Sequence, residues 1–247
     1  MHRGIIVSLT IHYMPPQQSQ SSLSVPVAIV IAGALIAAAV YFSNAGGAPT
    51  VENPKPGTNP EEKEVPAVVA SEHILGNPNA QVKIVEYTDL ECPFCKQFHD
   101  TMKRVMEKYG PDGKVAWVMR NFPLSQLHPN APSLALAAEC VAELGGNSAY
   151  WKFLDEIFRR APINTQFDFA QMDAAVGAVA VNTTQFKSCF ESEKHAAKIE
   201  KEFNDAVASG GRGTPFNILV KKDGTNVPIE GSQPYEVVVA AIEDALK

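Results

Sequence analysis

Glu86-Tyr87-Thr88-Asp89-Leu90-Glu91-Cys92-Pro93-Phe94-Cys95 is the stretch that decides the fold. A β-branched, apolar run, Val82 to Tyr87, leads into it. Phe94, Phe98, Met102, Val105 and Tyr109 follow at helical spacing. Cys92 to Cys95 therefore stands where a strand hands over to a helix. Pro93 suits a first helical turn, because its missing N–H is one the helix leaves unused. Two cysteines three apart on that turn share a face and can form a disulfide. Free N–H groups and the positive end of the helix dipole stabilise an anion there. The sequence thus predicts Cys92 as an acidic, partly exposed nucleophile and Cys95, one turn deeper, as the buried resolving thiol. A Cys92 pKa of about 4 would favour the reduced form by about 4 kcal/mol at pH 7, roughly 90 mV. Alone, C-x-x-C also fits half a zinc site or a plain structural disulfide.

A second stretch, Gly211-Arg-Gly-Thr-Pro-Phe-Asn-Ile-Leu-Val220, carries a Gly-rich turn through Thr214-Pro215 into a strand. Here the sequence resembles the thioredoxin superfamily, in particular its DsbA-like thiol oxidoreductases. These carry C-x-x-C at a helix start and a cis-proline before a strand, packed beside the disulfide. Cys92, Cys95, Thr214 and Pro215 match those positions. Gly76-Asn-Pro-Asn-Ala80, Arg120-Asn-Phe-Pro-Leu124 and Gly231-x-x-Pro-Tyr235 extend the resemblance over roughly residues 71–247. Together the motifs are specific, although each alone is weak.

The resemblance implies roles. Cys92 and Cys95 form the redox disulfide. Pro215 is cis, and Thr214 beside it offers backbone groups to an extended cysteine-containing protein, as in strand addition. Phe94 joins that substrate surface, and Pro93 and Phe94 tune the thiolate. Glu86 is an acidic residue beneath the disulfide that shuttles the Cys95 proton; read alone, it also fits a strand-edge glutamate facing water. Two departures bear on the redox direction. Glu91 replaces the tryptophan, and Pro-Phe the Gly-Pro, of thioredoxins proper, which argues against a cytosolic reductant. A charge at Glu91 is expected to raise the Cys92 pKa. His99 and His128 are candidate polar neighbours of the site, although a histidine one helical turn after Cys95 is more often a surface residue, and Arg120 reads as a structural partner for a carboxylate or carbonyl.

Composition sets the compartment. Of 247 residues 45% are hydrophobic, enough for a mid-sized core, and a net charge of −6 without a basic cluster gives no reason to expect nucleic acid. Cys140 and Cys189 lie on apolar helical faces and fit either two buried free thiols or a structural disulfide. An oxidising compartment favours the disulfide, as does a second such pair in some DsbA-like proteins. Zinc chelation by all four cysteines is disfavoured by their wide spacing. No metal and no cofactor are expected, and a monomer is.

Segments before the domain follow from charge. Residues 1–24 form an N-terminal segment placed on the cytoplasmic side. Val25 to Phe42 is an 18-residue apolar run, long enough for a transmembrane anchor and also readable as a signal-peptide core. Residues 43–70 form a linker whose stretch Ala48 to Pro66 holds five prolines. From Ser71 the expected order is strand 81–87, helix 93–109, strand 114–122, helices 133–144, 149–159, 169–179, 183–190 and 193–208, strands 216–220 and 227–230, and helix 234–246. That is an α/β thioredoxin fold, β-α-β…α-β-β-α, with a helical insertion at about 125–190. The expected function is a membrane-tethered, extracytoplasmic thiol:disulfide oxidoreductase that oxidises secreted proteins, with a membrane quinone-linked reoxidase (DsbB-like or VKOR-like) as partner. A reductase or isomerase on the same fold, or a copper or zinc chaperone using Cys92 and Cys95, are the alternatives.

Overall fold

The computed structural model describes residues 65–161 and 166–247. The apolar run 25–42 and most of the linker lie outside them. Among the described residues no helix is long and apolar enough to cross a membrane.

Five strands form one mixed sheet: β1 (His73–Gly76), β2 (Val82–Thr88), β3 (Val115–Asn121), β4 (Phe216–Lys221) and β5 (Asn226–Glu230), in spatial order β1-β3-β2-β4-β5. The parallel pair β2 and β3 is joined by α1 (Pro93–Tyr109), as a crossover requires. β4 pairs antiparallel with β2, setting Glu86 opposite Asn217 and Tyr87 opposite Phe216. β1 and β5 are antiparallel edges. The sequence missed β1: four residues, one of them His73, carry no readable alternation. The folded region also starts earlier than Ser71. Val65 is buried against Val85, Tyr87 and Val118, because apolar surface on that sheet face needs a cover.

Alternation divides the core in two. Val82 and Ile84 of β2, with Val115, Trp117 and Met119 of β3, face α1 and the C-terminal helix α6 (Tyr235–Ala245). Val85, Tyr87, Ala116 and Val118 face the other way, where Phe203 and Ala206 cover them. The period of two puts Glu86 on the first face, beneath the head of α1.

The helical insertion begins with α2 (Ala131–Arg160), a single 30-residue element in which the two expected helices meet at Gly146, φ 75°. That backbone is non-helical (ψ −179°) and costs glycine nothing, so α2 is two helices that meet at a kink, as the Gly145-Gly146 pair leads one to expect. A 3-10 turn at Phe169–Gln171 leads into α3 (Met172–Ala178), and α4 (Thr183–Glu191) completes the insertion; α5 (Ala196–Ala208) returns to the sheet, where it supplies Phe203 and Ala206. Gly76 is required at the end of β1. Its φ is 97°, and a Cβ there would come within 2.9 Å of the Val115 carbonyl oxygen.

Candidate active site

β2 ends at Thr88, and one tight turn brings the chain to Cys92, the residue that caps α1 with extended backbone, followed by Pro93 in the first turn. The turn is built by Asp89. Its Oδ1 accepts from the Glu91 N–H at 2.8 Å, and its Oδ2 accepts from the Leu124 N–H at 2.8 Å and pairs with His128 Nδ1 at 2.9 Å. Its own N–H donates to Cys95 Sγ at 3.4 Å. Sequence reading missed Asp89, because an aspartate before a helix looks like any turn former.

The Thr214–Pro215 peptide bond is cis and leads into β4. Cys92 Sγ donates to the Thr214 carbonyl oxygen at 3.4 Å, across 122 residues of sequence. That loop covers the sulfur, so Cys92 is 5% exposed instead of partly open, and Cys95 is 0% exposed. Phe94 is 58% exposed, beside the covered sulfur.

Both cysteines are free thiols with opposed acidities. Hydrogen bonding from Cys95 pulls the Cys92 pKa down to about 6, helped by Thr214 and by the Cys95 and Phe94 N–H groups of the first helical turn; burial opposes them. Cys95 is pushed well above its ordinary value, first by burial, then by its bond to Cys92 and by the negative charge of Cys92 and Glu86. A pKa of about 6 is two units above the sequence-based value of about 4. At pH 7 the thiolate then stabilises the reduced form by about 1.4 kcal/mol, about 30 mV, a third of the earlier figure.

Glu86 is fully buried on the sheet face beneath the two sulfurs, and the Trp117 indole N–H donates to its Oε2 at 2.9 Å. Burial raises its pKa to about 8. Thr88 lies near enough to lower the pKa of both Glu86 and Cys95, although its hydroxyl makes no hydrogen bond of normal geometry. It is a second residue missed in the sequence, since a strand-end threonine gives no signal.

Glu91 does something other than face Cys92. Its carboxylate accepts from the Asn130 N–H at 2.9 Å, Asn130 Nδ2 at 3.1 Å and the Phe167 N–H at 2.9 Å. It fastens the active-site turn to the head of α2. His99, expected at the surface, is 3% exposed, packed between Trp117 and Phe158 and held by Asp155 at 2.8 Å. Arg120 meets Glu72 at 2.6 Å, the Tyr87 hydroxyl at 2.8 Å and the Pro66 carbonyl at 2.8 Å. Cys140 and Cys189 form a disulfide that joins α2 to α4.

A β-α-β…α-β-β-α sheet with C-x-x-C heading the helix after β2 and a cis-proline heading β4 is a thioredoxin fold. A family model described as thioredoxin matches residues 69–244. The chain belongs to the thioredoxin family, on the DsbA-like side of that superfamily of oxidoreductases. Its structure is similar to Pseudomonas aeruginosa DsbA2, with TM-score 0.60 and 26% identity, covering 72% of this chain and 95% of that one. It shares its fold with oxidised BdbD from Bacillus subtilis, with TM-score 0.65 and 20% identity over 74% of this chain and 97% of that one. In sequence it is also similar to a Na(+)/H(+) antiporter NhaA 1 of Mycolicibacterium gilvum, 29% identical over 134 residues and 54% of this chain. The chain spans 20% of that antiporter's length, so the transport activity in its name is not carried over.

Proposed function

We propose that this protein is a thiol:disulfide oxidoreductase that donates a Cys92–Cys95 disulfide to extended, cysteine-containing proteins outside the cytosol. The observation that carries the reading is the placement of two free thiols at the head of α1, Cys92 Sγ 3.4 Å from the Thr214 carbonyl oxygen beside cis Pro215 and Cys95 fully buried behind it, an arrangement that lowers Cys92 to about 6 and raises Cys95. A substrate thiolate attacks Cys92 Sγ of the disulfide. The S–S bond breaks and Cys95 leaves as a thiolate that its buried surroundings cannot hold. Glu86, protonated at pH 7 with a pKa of about 8 and buried beneath the two sulfurs, supplies the proton. A second substrate thiolate then attacks the substrate's own sulfur in the mixed disulfide and expels the Cys92 thiolate, the better leaving group of the pair.

The Thr214 carbonyl oxygen, beside Cys92 and next to the cis-proline, supports docking of an extended peptide through its backbone. Exposed Phe94 offers that peptide an apolar contact. The 25–42 run tethers the domain to the membrane, residues 1–24 lie inside, and a membrane quinone-linked reoxidase restores the disulfide. The disulfide between Cys140 and Cys189 supports an oxidising compartment. The test is refolding of a reduced, disulfide-containing protein. The oxidised protein should speed recovery of native disulfides, and Cys92→Ala should not; equal rates for the two would end the proposal.

A further inference from the structure

The second cysteine pair has a neighbour that the redox reading leaves unused. Cys140 of α2, Cys189 of α4 and His195 at the head of α5 each place a potential ligand atom within 4.8 Å of the other two. Among the described residues no other cluster of three histidine, cysteine or carboxylate groups is this close. Cys140 is 0% and Cys189 5% exposed, while the His195 side chain is 21% exposed, so the cluster opens to solvent on the imidazole side. Glu143 stands one helical turn after Cys140. It pairs with His195 Nε2 at 2.9 Å and with Lys194 Nζ at 2.6 Å. A proton held on Nε2 by that carboxylate leaves the ring's lone pair on Nδ1. A histidine oriented by a carboxylate in this way is the usual second shell of a zinc-binding imidazole.

We propose that reduction of the Cys140–Cys189 disulfide opens a zinc(II) site made by Cys140, Cys189 and His195, with Glu143 orienting the imidazole. A dithiol reductant supplies two electrons and two protons to the S–S bond and is itself oxidised to a disulfide. Zinc(II) then forms two Zn–S bonds and one Zn–N bond, and the two thiol protons pass to solvent. Two thiolates and one imidazole are three of the four ligands of a tetrahedral site, and the fourth position faces the open side. With Zn–S bonds of about 2.3 Å the sulfurs need to stand roughly 3.8 Å apart. The Cα separation of 5.8 Å accommodates this by rotation of the two side chains. The same three residues thus staple the helical insertion in two ways, by a disulfide under oxidising conditions and by a metal under reducing ones. The proposal does not depend on the role of Cys92 and Cys95.

The test uses the Cys92→Ser/Cys95→Ser protein, which removes the other thiol pair. After reduction by a phosphine without oxygen, it is titrated with cobalt(II). One equivalent should give a thiolate-to-cobalt charge-transfer absorption that zinc(II) bleaches, with two protons released per zinc. The oxidised protein should give none. Adding His195→Ala should weaken binding at least tenfold, and Glu143→Gln about ten- to a hundredfold. A reduced protein that keeps its far-ultraviolet circular dichroism but shows no such absorption would overturn the proposal. So would binding that His195→Ala leaves unchanged. If reduction destabilises the protein, the reading is thermal unfolding with and without zinc. A zinc-dependent rise in Tm lost in His195→Ala supports the site; no rise refutes it.

Discussion

Replacing Glu86 by glutamine should stabilise the protein at pH 7 while slowing its chemistry. The carboxyl is fully buried, and its pKa is raised from 4.5 to about 8. For an acid raised on folding, the unfolded chain ionises first, so stability falls as pH rises from 4.5 towards 8 and is complete only below 4.5. At pH 7 the unfolded carboxyl is two and a half units above its pKa while the folded one is still protonated, a cost of about 3 kcal/mol. Glutamine does not ionise, and its carbonyl still accepts the Trp117 N–H. Its amide N–H groups meet few acceptors there and give back about 1 kcal/mol. The net gain is about 2 kcal/mol at pH 7, or about 1 M in the urea midpoint, and at pH 4, where only the amide's cost is left, it turns into a loss of about 1 kcal/mol. The assay is urea unfolding of both proteins at the two pH values, with Cys92 and Cys95 reduced. In disulfide donation the variant lacks a proton donor for Cys95 and should be at least tenfold slower at pH 7. A Glu86→Gln protein no more stable than its parent at pH 7, or more stable by the same amount at pH 4, would refute the reasoning.

Four further outcomes follow from named contacts. The Cys92–Cys95 potential, measured by glutathione equilibrium, should fall by about 59 mV per pH unit below pH 6 and by about 30 mV per unit above it, because above about 6 the reduced form binds one proton fewer. The thiolate's contribution to the stability of the reduced protein follows the opposite sign to Glu86: it is complete above 9.0 and lost as pH falls through about 6, which unfolding of reduced protein at pH 5 and pH 9 will show. Cys140→Ala/Cys189→Ala removes a bridge across a sequence separation of 49 residues and should cost about 4 kcal/mol, a Tm lower by roughly 10 °C, with the Cys92–Cys95 potential unchanged. Glu91→Ala leaves the Asn130 and Phe167 N–H groups unpaired, a loss of roughly 1–3 kcal/mol, seen as faster hydrogen exchange at those two amides.

The sequence by itself determined what has a period or a local motif. The β-branched, apolar run Val82 to Tyr87, helical spacing after Pro93, and glycine and proline punctuation placed β2, α1, β3, β4, β5 and α6 within a few residues. Gly145-Gly146 marked the break in α2, where the backbone leaves the helical region and a second helix begins. C-x-x-C at a strand-to-helix junction and Thr214-Pro215 before a strand are local signals, so those residues were legible. β1 was not, because a four-residue edge strand is held by its partner, with Leu75 opposite Trp117, and not by a pattern of its own. The chemistry belonged to the tertiary structure. Whether Glu86 faces water or the core depends on which sheet face α1 covers, and only packing sets that. The Cys92 pKa depends on Cys95 and on Thr214, which lies 122 residues away. Glu91 could be charged against Cys92 or spent on Asn130 and Phe167, and the fold selected the second by bringing the helical insertion to it. Long-range juxtaposition, with the burial it produces, is what a one-dimensional pattern does not encode residue by residue.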